Sequence, residues 1–359
     1  MKKKSITNSQ SPELVSKQDM VFGLSGSGAG FESSAPALWP ALARRAERQG
    51  FHSLWLNEEH FQSRQKRHGG RYVLSPLVAA AAMAARTRTI RLGFSVLLLP
   101  LHHPIRLAEE LASLDCLSRG RVDFGVSRGG NERYLEAFGV DRVKASKDFP
   151  SVLQQVLDCW GKHPIMVAGA PLDVQPKPVQ QPHLPLYIGS YSEEMVRWTA
   201  INGHCLIIHG IQSAAHARDN LLCFVEAGGD PSMVPFGRFT YVAESDEAAR
   251  RDLLPVLPQL LAKLRMVGQS QRAKGVIDMA NLEPDLFIKH MVVAGSPDTC
   301  RQKIIELRDS IGIRHFNLLP AFFGYLPPVA LHRSLLLFAQ EIIPTLNRKK
   351  ASKPSLGSH

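Results

Sequence analysis

Eight times along this chain a short apolar run of strand length is followed by a longer stretch of helical period, and this alternation constrains the fold most. Strand-then-helix repetition is the pattern of parallel α/β architecture, because parallel neighbours need a crossover and a helix usually supplies it. The runs fall at 20–24, 53–56, 90–98, 121–126, 186–188, 205–208, 239–242 and 315–319. Eight units are what barrel closure requires, whereas doubly wound open sheets usually have about five to seven strands. The third run is apolar almost throughout apart from Ser95, as expected of a strand buried on both faces. The expected fold class is therefore α/β, a (β/α)8 TIM barrel with insertions.

Local signals refine this. Ser34 is read as the N-cap of the first helix, with an apolar face through Leu38, Leu42 and Ala46 and Gly50 as its stop. Ser75-Pro76 opens the second helix and Pro104 the third. Later helices are expected near 192–202, 213–227, from Asp246 and over 328–346. Two segments interrupt the alternation, a proline-rich stretch at 160–184 and a helical one at 256–290, and both read as insertions. Residues 1–18 read as a disordered leader and 348–359 as a basic disordered tail, leaving 19–347 for the barrel.

Composition excludes several classes. No run of about eighteen apolar residues exists to span a membrane, and the lysines after Met1 lead into no apolar segment of a signal peptide. The five cysteines are scattered with no C-x-x-C pair, so buried free thiols and a cytoplasmic location are expected. A formal charge of +11 invites a nucleic-acid reading. The basic residues are dispersed, however, and no aromatic residues interleave with them as a stacking platform needs. Gly26 to Gly30 fails the third-glycine spacing of a dinucleotide fingerprint, and no histidine or cysteine spacing suggests a metal.

Several ordered motifs carry a resemblance. Gly50-Phe51 feeds the second run, which ends in Asn57-Glu58-Glu59-His60-Phe61. His103-Pro104-Ile105-Arg106, Leu114-Asp115 and Ser118-Arg119-Gly120-Arg121 follow, then Phe124-Gly125-Val126-Ser127-Arg128-Gly129. Pro176-Lys177-Pro178, Pro185-Leu186-Tyr187-Ile188-Gly189, Gly295-Ser296-Pro297 and Ser334-Leu335 with Phe338 and Pro344 complete the series. Over residues 19–347 this order resembles the bacterial-luciferase-like, flavin-dependent monooxygenase family. The resemblance implies reduced FMN and molecular oxygen, a small organic substrate, flavin delivered by a separate reductase, and a dimer. A subgroup of that family uses deazaflavin and transfers hydride, and non-catalytic flavin-binding homologues exist; both stay open as alternatives.

Active sites of such barrels lie where the strands end. After the second run, Glu59 stands where luciferases carry their catalytic histidine and His60 matches the second histidine, so both are candidate catalytic residues. Pairing of Glu58 and Glu59 with arginines at the mouth is the structural alternative. Ser127, Arg128, Gly129 and Gly130 end the fourth strand, where a guanidinium fork and glycine-exposed N–H groups suit a flavin phosphate. A salt bridge at a tight turn is the other reading of Arg128. Tyr191 and Ser192 open a helix, a second anion cradle, although a family threonine is replaced by Met195. The resemblance places a non-proline cis peptide at Ser95–Val96, supporting one flavin face. Ser25, His209, Phe322 and Phe323 follow strands one, six and eight and are candidate substrate contacts, and the basic loop 62–72 is placed to overhang the cavity.

Overall fold

A computed structural model of the chain describes residues 20–25, 38–61, 74–269 and 275–347. The expected leader and tail, the 26–30 run, Ser34 and the 62–72 loop lie outside the described residues. The strands are β1 (Val21–Ser25), β2 (Ser53–Leu56), β3 (Arg91–Phe94), β4 (Leu97–Leu98), β5 (Val122–Ser127) and β6 (Ile165–Val167). They continue with β7 (Ala170–Leu172), β8 (Leu186–Gly189), β9 (Cys205–Ile207), β10 (Pro235–Val242), β11 (Val292–Gly295) and β12 (His315–Leu319). The helices that position the site are α1 (Trp39–Arg48), α2 (Pro76–Ala84), α3 (Pro104–Ser118), α4 (Glu132–Ala137), α5 (Arg142–Trp160), α6 (Glu193–Ile201) and α7 (Ala214–Glu226).

All strands except β6 and β7 form one parallel sheet, in the order β11-β10-β12-β1-β2-β3-β5-β8-β9, with β4 also beside β5. The sheet curls so that β9 approaches β10. There Ile208 N–H donates to the Pro235 carbonyl at 3.1 Å and Gly237 N–H to the Ile208 carbonyl at 2.8 Å, an isolated parallel bridge. Each of the eight runs read from the sequence contributes a strand to this curled sheet.

Four details differ from expectation. The third run is split into β3 and β4 around Ser95–Val96, whose peptide bond is cis. The 160–184 insertion carries the antiparallel hairpin β6–β7. A further parallel strand, β11, pairs with β10, and the helix Pro297–Ile311 follows it. Finally, α1 buries Trp39, Ala43 and Ala46 while Leu38 stays exposed, because the large indole takes the inward position. Of the cysteines, Cys159, Cys223 and Cys300 are buried free thiols, but Cys116 is exposed on α3.

The interior is filled from one side chain outward. Trp55 on β2 packs against Tyr187 and Ile207, and it needs glycine neighbours. A Cβ on Gly93 would lie 2.5 Å from Trp55 Cε3, and one on Gly23 would lie 2.1 Å from Asn317 Oδ1. Below it, Arg91 grips Asp123 with a two-pronged contact, Nη2 to Oδ1 at 2.6 Å and Nε to Oδ2 at 2.9 Å. Arg121 is buried and donates to the carbonyls of Ile90, Ala84 and Thr87, so it satisfies the end of α2. Asp115 is wholly buried and accepts from the Gln180 backbone N–H at 3.0 Å and its Nε2 at 2.8 Å. These motif residues are scaffold.

One interior group links stability to pH. His315 is 5% exposed, its Nε2 lies 3.2 Å from Ser53 Oγ, and burial, with His52 and Arg91 nearby, pushes its pKa from 6.5 down to about 3. Between those values the unfolded chain binds a proton that the folded one refuses. Stability is therefore complete above pH of about 6.5 and falls on acidification, by up to about 1.4 kcal/mol per pH unit from this group. Urea unfolding at pH 7.5 and pH 5 measures it; a His315→Asn variant with an undiminished pH slope would show the slope arises elsewhere.

Candidate functional site

At the carboxyl ends of β3, β5, β8 and β9 lies a cavity of about 670 Å³. The sequence builds its anchoring end by ordinary capping. Asn131 Oδ1 accepts from Arg133 N–H to start α4, and Asp141 Oδ1 accepts from Lys144 N–H to start α5. Those turns bring Arg142 and Ser146 to the cavity, opposite the start of α6. Arg128, at the end of β5, points between them. Its Nη1 donates to Ser146 Oγ at 2.9 Å and its Nη2 to Ser192 Oγ at 3.2 Å.

Among the described residues Arg128 has no carboxylate partner. Ser192 occupies the N-cap position of α6 yet makes no capping bond with its side chain; the hydroxyl faces Arg128 and, at 3.4 Å, Ser190 Oγ. Gly129 adopts φ 77°, a conformation that favours glycine, and its N–H donates to Ser127 Oγ at 3.1 Å. Ser95, Val96, Ser127, Gly129, Gly130 and Tyr191 all border the same cavity. Opposite Val96, a Cβ on Gly189 would come within 3.0 Å of Val96 Cγ1, so the narrow wall there depends on a missing side chain.

Proton-handling groups fall differently from expectation. Glu59 borders the cavity, but His60 does not. The His60 ring packs on Tyr134 and Phe138 at 5.4 and 4.8 Å between centroids, and its Nε2 lies 3.3 Å from Glu58 Oε1. Glu58 is buried and among the described residues is held by histidines and backbone: His102 Nε2 lies 2.9 Å from Oε2 and Leu98 N–H donates to it at 2.7 Å. Burial pushes the Glu58 carboxyl up, but His102, Leu98 and His60 together hold it below the usual carboxylate range. His209 borders the cavity, and burial pushes it down to about 4, so it is neutral at physiological pH. Its Nδ1 accepts from Ile211 N–H at 3.4 Å, which leaves Nε2 as the donor.

Three expected substrate contacts are not on this cavity. Phe322 is fully buried and stacks on Phe239, Phe323 packs on Phe239 and beneath Lys263, and buried Ser25 continues β1 beside Trp55. Aromatic residues after strand eight went into the core because Phe239 offers them a large apolar face. Sequence reasoning missed Ser146, Arg142, His102 and His216. The Asp141 N-cap places Arg142 and Ser146 in the opening turns of α5, and the other two carry no local signature. Among the described residues no group of three or more His, Cys, Asp or Glu side chains could hold a metal, and no helix is long and apolar enough to cross a membrane.

A curled parallel α/β sheet with an arginine between two serine hydroxyls at its strand ends defines a class, and the sequence comparisons place the chain within it. The profile of the luciferase-like monooxygenases matches residues 20–315, and the chain belongs to that family. It is similar to the uncharacterized protein y4wF of Sinorhizobium fredii, 28% identical over 80% of this chain and 84% of that protein. It is also similar to the oxygenase component of the flavin-dependent trigonelline monooxygenase of Acinetobacter baylyi, 25% identical over 58% of this chain and 60% of that one. Among solved structures, the oxygenating constituent of 3,6-diketocamphane monooxygenase of Pseudomonas putida in complex with FMN shares the fold. Its TM-score is 0.72 at 19% identity, covering 91% of this chain and 99% of that one. The coenzyme F420 dependent tetrahydromethanopterin reductase of Methanopyrus kandleri gives 0.66 at 17% identity, over 91% and 99%.

Proposed function

We propose that this protein is the oxygenase component of a two-component monooxygenase, taking reduced FMN from a separate flavin reductase and using molecular oxygen on a small organic substrate. The observation that carries this is Arg128, a cation at the cavity with two serine hydroxyls and no carboxylate among the described residues. A guanidinium so placed is matched to an oxyanion that binds in a fork. The cavity volume of about 670 Å³ lies in the range of cofactor sites, roughly 300–1,000 Å³. The residues fit the group.

In this reading Arg128, Ser146 and Ser192 hold the phosphate, with the N–H group of Gly130 beside them. Ser95, Val96, Ser127 and Tyr191 border the ring. Reduced flavin supplies the electrons that activate oxygen. The chain's part is to bind, orient and keep water out. Val96, Leu98, Ile207 and Val276 give the cavity an apolar lining that disfavours water. Glu59 is the carboxylate at the lip that can accept a proton, and His209 Nε2 donates a hydrogen bond without carrying charge.

The curled sheet is read here as a complete (β/α)8 barrel, with its seam held at Ile208–Phe236. Exposed Val78 on α2 and Leu117 on α3 support a dimer formed through the helices beside the first strands. The likeness to an F420-dependent reductase favours one second reading, hydride transfer from a deazaflavin. An anaerobic titration decides between them. Reduced FMN is expected to bind at least tenfold more tightly than either oxidised FMN or reduced F420; preference for F420 would establish the hydride reading instead.

A further inference from the structure

A second, strongly basic cavity lies between β10, the helix Pro284–Met291 and the helix Pro297–Ile311, and it shares no lining residue with the flavin site. Its volume is about 260 Å³, and Arg238, Lys289, His290, Lys303, Glu306 and Ser310 border it. Arg238 is only 2% exposed, yet among the described residues no carboxylate lies within ion-pair reach of it. Its Nη1 donates to the neighbouring Gly237 carbonyl at 3.0 Å, and its buried Nη2 has no acceptor among the described residues.

The surroundings do not make up that deficit. The guanidinium carbon sits 4.3 Å from the centre of the Phe236 ring, a contact weaker than the cost of desolvating an ion. Glu306, the acid at the rim, accepts from Gln302 Nε2 at 3.2 Å instead. Lys303 Nζ donates to the Ala294 carbonyl at 3.1 Å and adds charge of the same sign. Burial pushes Arg238 down to about 10, which still leaves it charged at neutral pH.

We infer that this cavity is a binding site for a small oxyanion, drawn by the uncompensated charge of Arg238 and neutralised by Lys303 and Lys289. A guanidinium with one unused donor group, beside two ammonium groups, matches a phosphate or a carboxylate. The volume falls below the range of cofactor pockets, so the occupant is the size of inorganic phosphate or a short phosphorylated or carboxylated metabolite, not a nucleotide. Bound there, it ties β10 to the ends of the two helices and stabilises that flank of the sheet.

The test is thermal unfolding of the full chain at constant ionic strength, with inorganic phosphate and with succinate against a chloride control. It is done in the Arg128→Ala protein, so that phosphate at the proposed flavin cradle does not contribute. Phosphate or succinate at ten times its Kd is expected to raise Tm by about 2 °C. Whichever anion does so identifies the phosphoryl or the carboxylate class. Adding Arg238→Met is expected to abolish the rise and to leave Tm in chloride unchanged or higher, because an unpaired buried charge has been removed. If Arg238→Met does not fold, Lys303→Met with Lys289→Met must at least halve the response. A parent with no response to either anion, or a response that survives these substitutions, overturns the site. Neither result depends on whether FMN binds at the other cavity.

Discussion

Replacing Arg128 by alanine is expected to weaken FMN binding about a hundredfold while leaving riboflavin binding unchanged. The guanidinium already bridges Ser146 on α5 and Ser192 at the start of α6, so its fork is fixed before any ligand arrives. A pre-organised, charge-assisted pair of hydrogen bonds to a phosphate contributes about 2–3 kcal/mol, and the quoted factor follows from it. Riboflavin lacks the phosphate, so it tests whether the loss is local. Flavin fluorescence titration of both ligands measures the two affinities. An Arg128→Ala protein that loses riboflavin affinity equally would show general damage to the cavity, and one that keeps FMN affinity would remove the cradle from the mechanism. Ser192→Ala is expected to follow the same pattern at about a tenth of the effect, since one neutral partner is lost.

Gly125→Ala is expected to destabilise the protein by about 3 kcal/mol or more, enough to lower the yield of folded chain. A Cβ on Gly125 would lie 1.6 Å from the Phe94 carbonyl oxygen and 3.1 Å from Ile207 Cδ1. The first obstacle is backbone of a neighbouring strand, which cannot rotate aside as a side chain can. Gly203 provides the contrast. It has φ 71° with nothing within 4 Å, so alanine there meets only the left-handed backbone penalty, about 1 kcal/mol. Urea unfolding of both variants compares them, and equal losses would mean that the β3–β5 contact yields easily.

The residues proposed for the cradle were placed at the cavity by sequence to the extent that their signals are local. Ser127-Arg128-Gly129-Gly130 and Tyr191-Ser192 each end a strand and begin a turn, and both face the cavity. His60 shows the limit of that reasoning. It follows β2 as expected, but the buried Glu58 carboxylate and the rings of Tyr134 and Phe138 draw it away from the cavity. Ser146 and His102 could not be inferred, because they reach their partners from 18 and 44 positions away in sequence. The motif residues Asp115 and Arg121 look as if they belong to chemistry, yet both are consumed by backbone groups of the scaffold.

What the chain settled alone was the repeated unit. Apolar period and punctuation by glycine and proline are local properties, so eight runs that became strands and the limits of helices such as α2, α6 and α7 could be read in advance. What only the folded arrangement decided was which side chains meet. Trp55 fits because Gly23 and Gly93 leave it room, β11 pairs with β10 in parallel register, and among the described residues Arg238 has no carboxylate within ion-pair reach. Contacts of that kind depend on distances across the sheet, and no single stretch of sequence contains them.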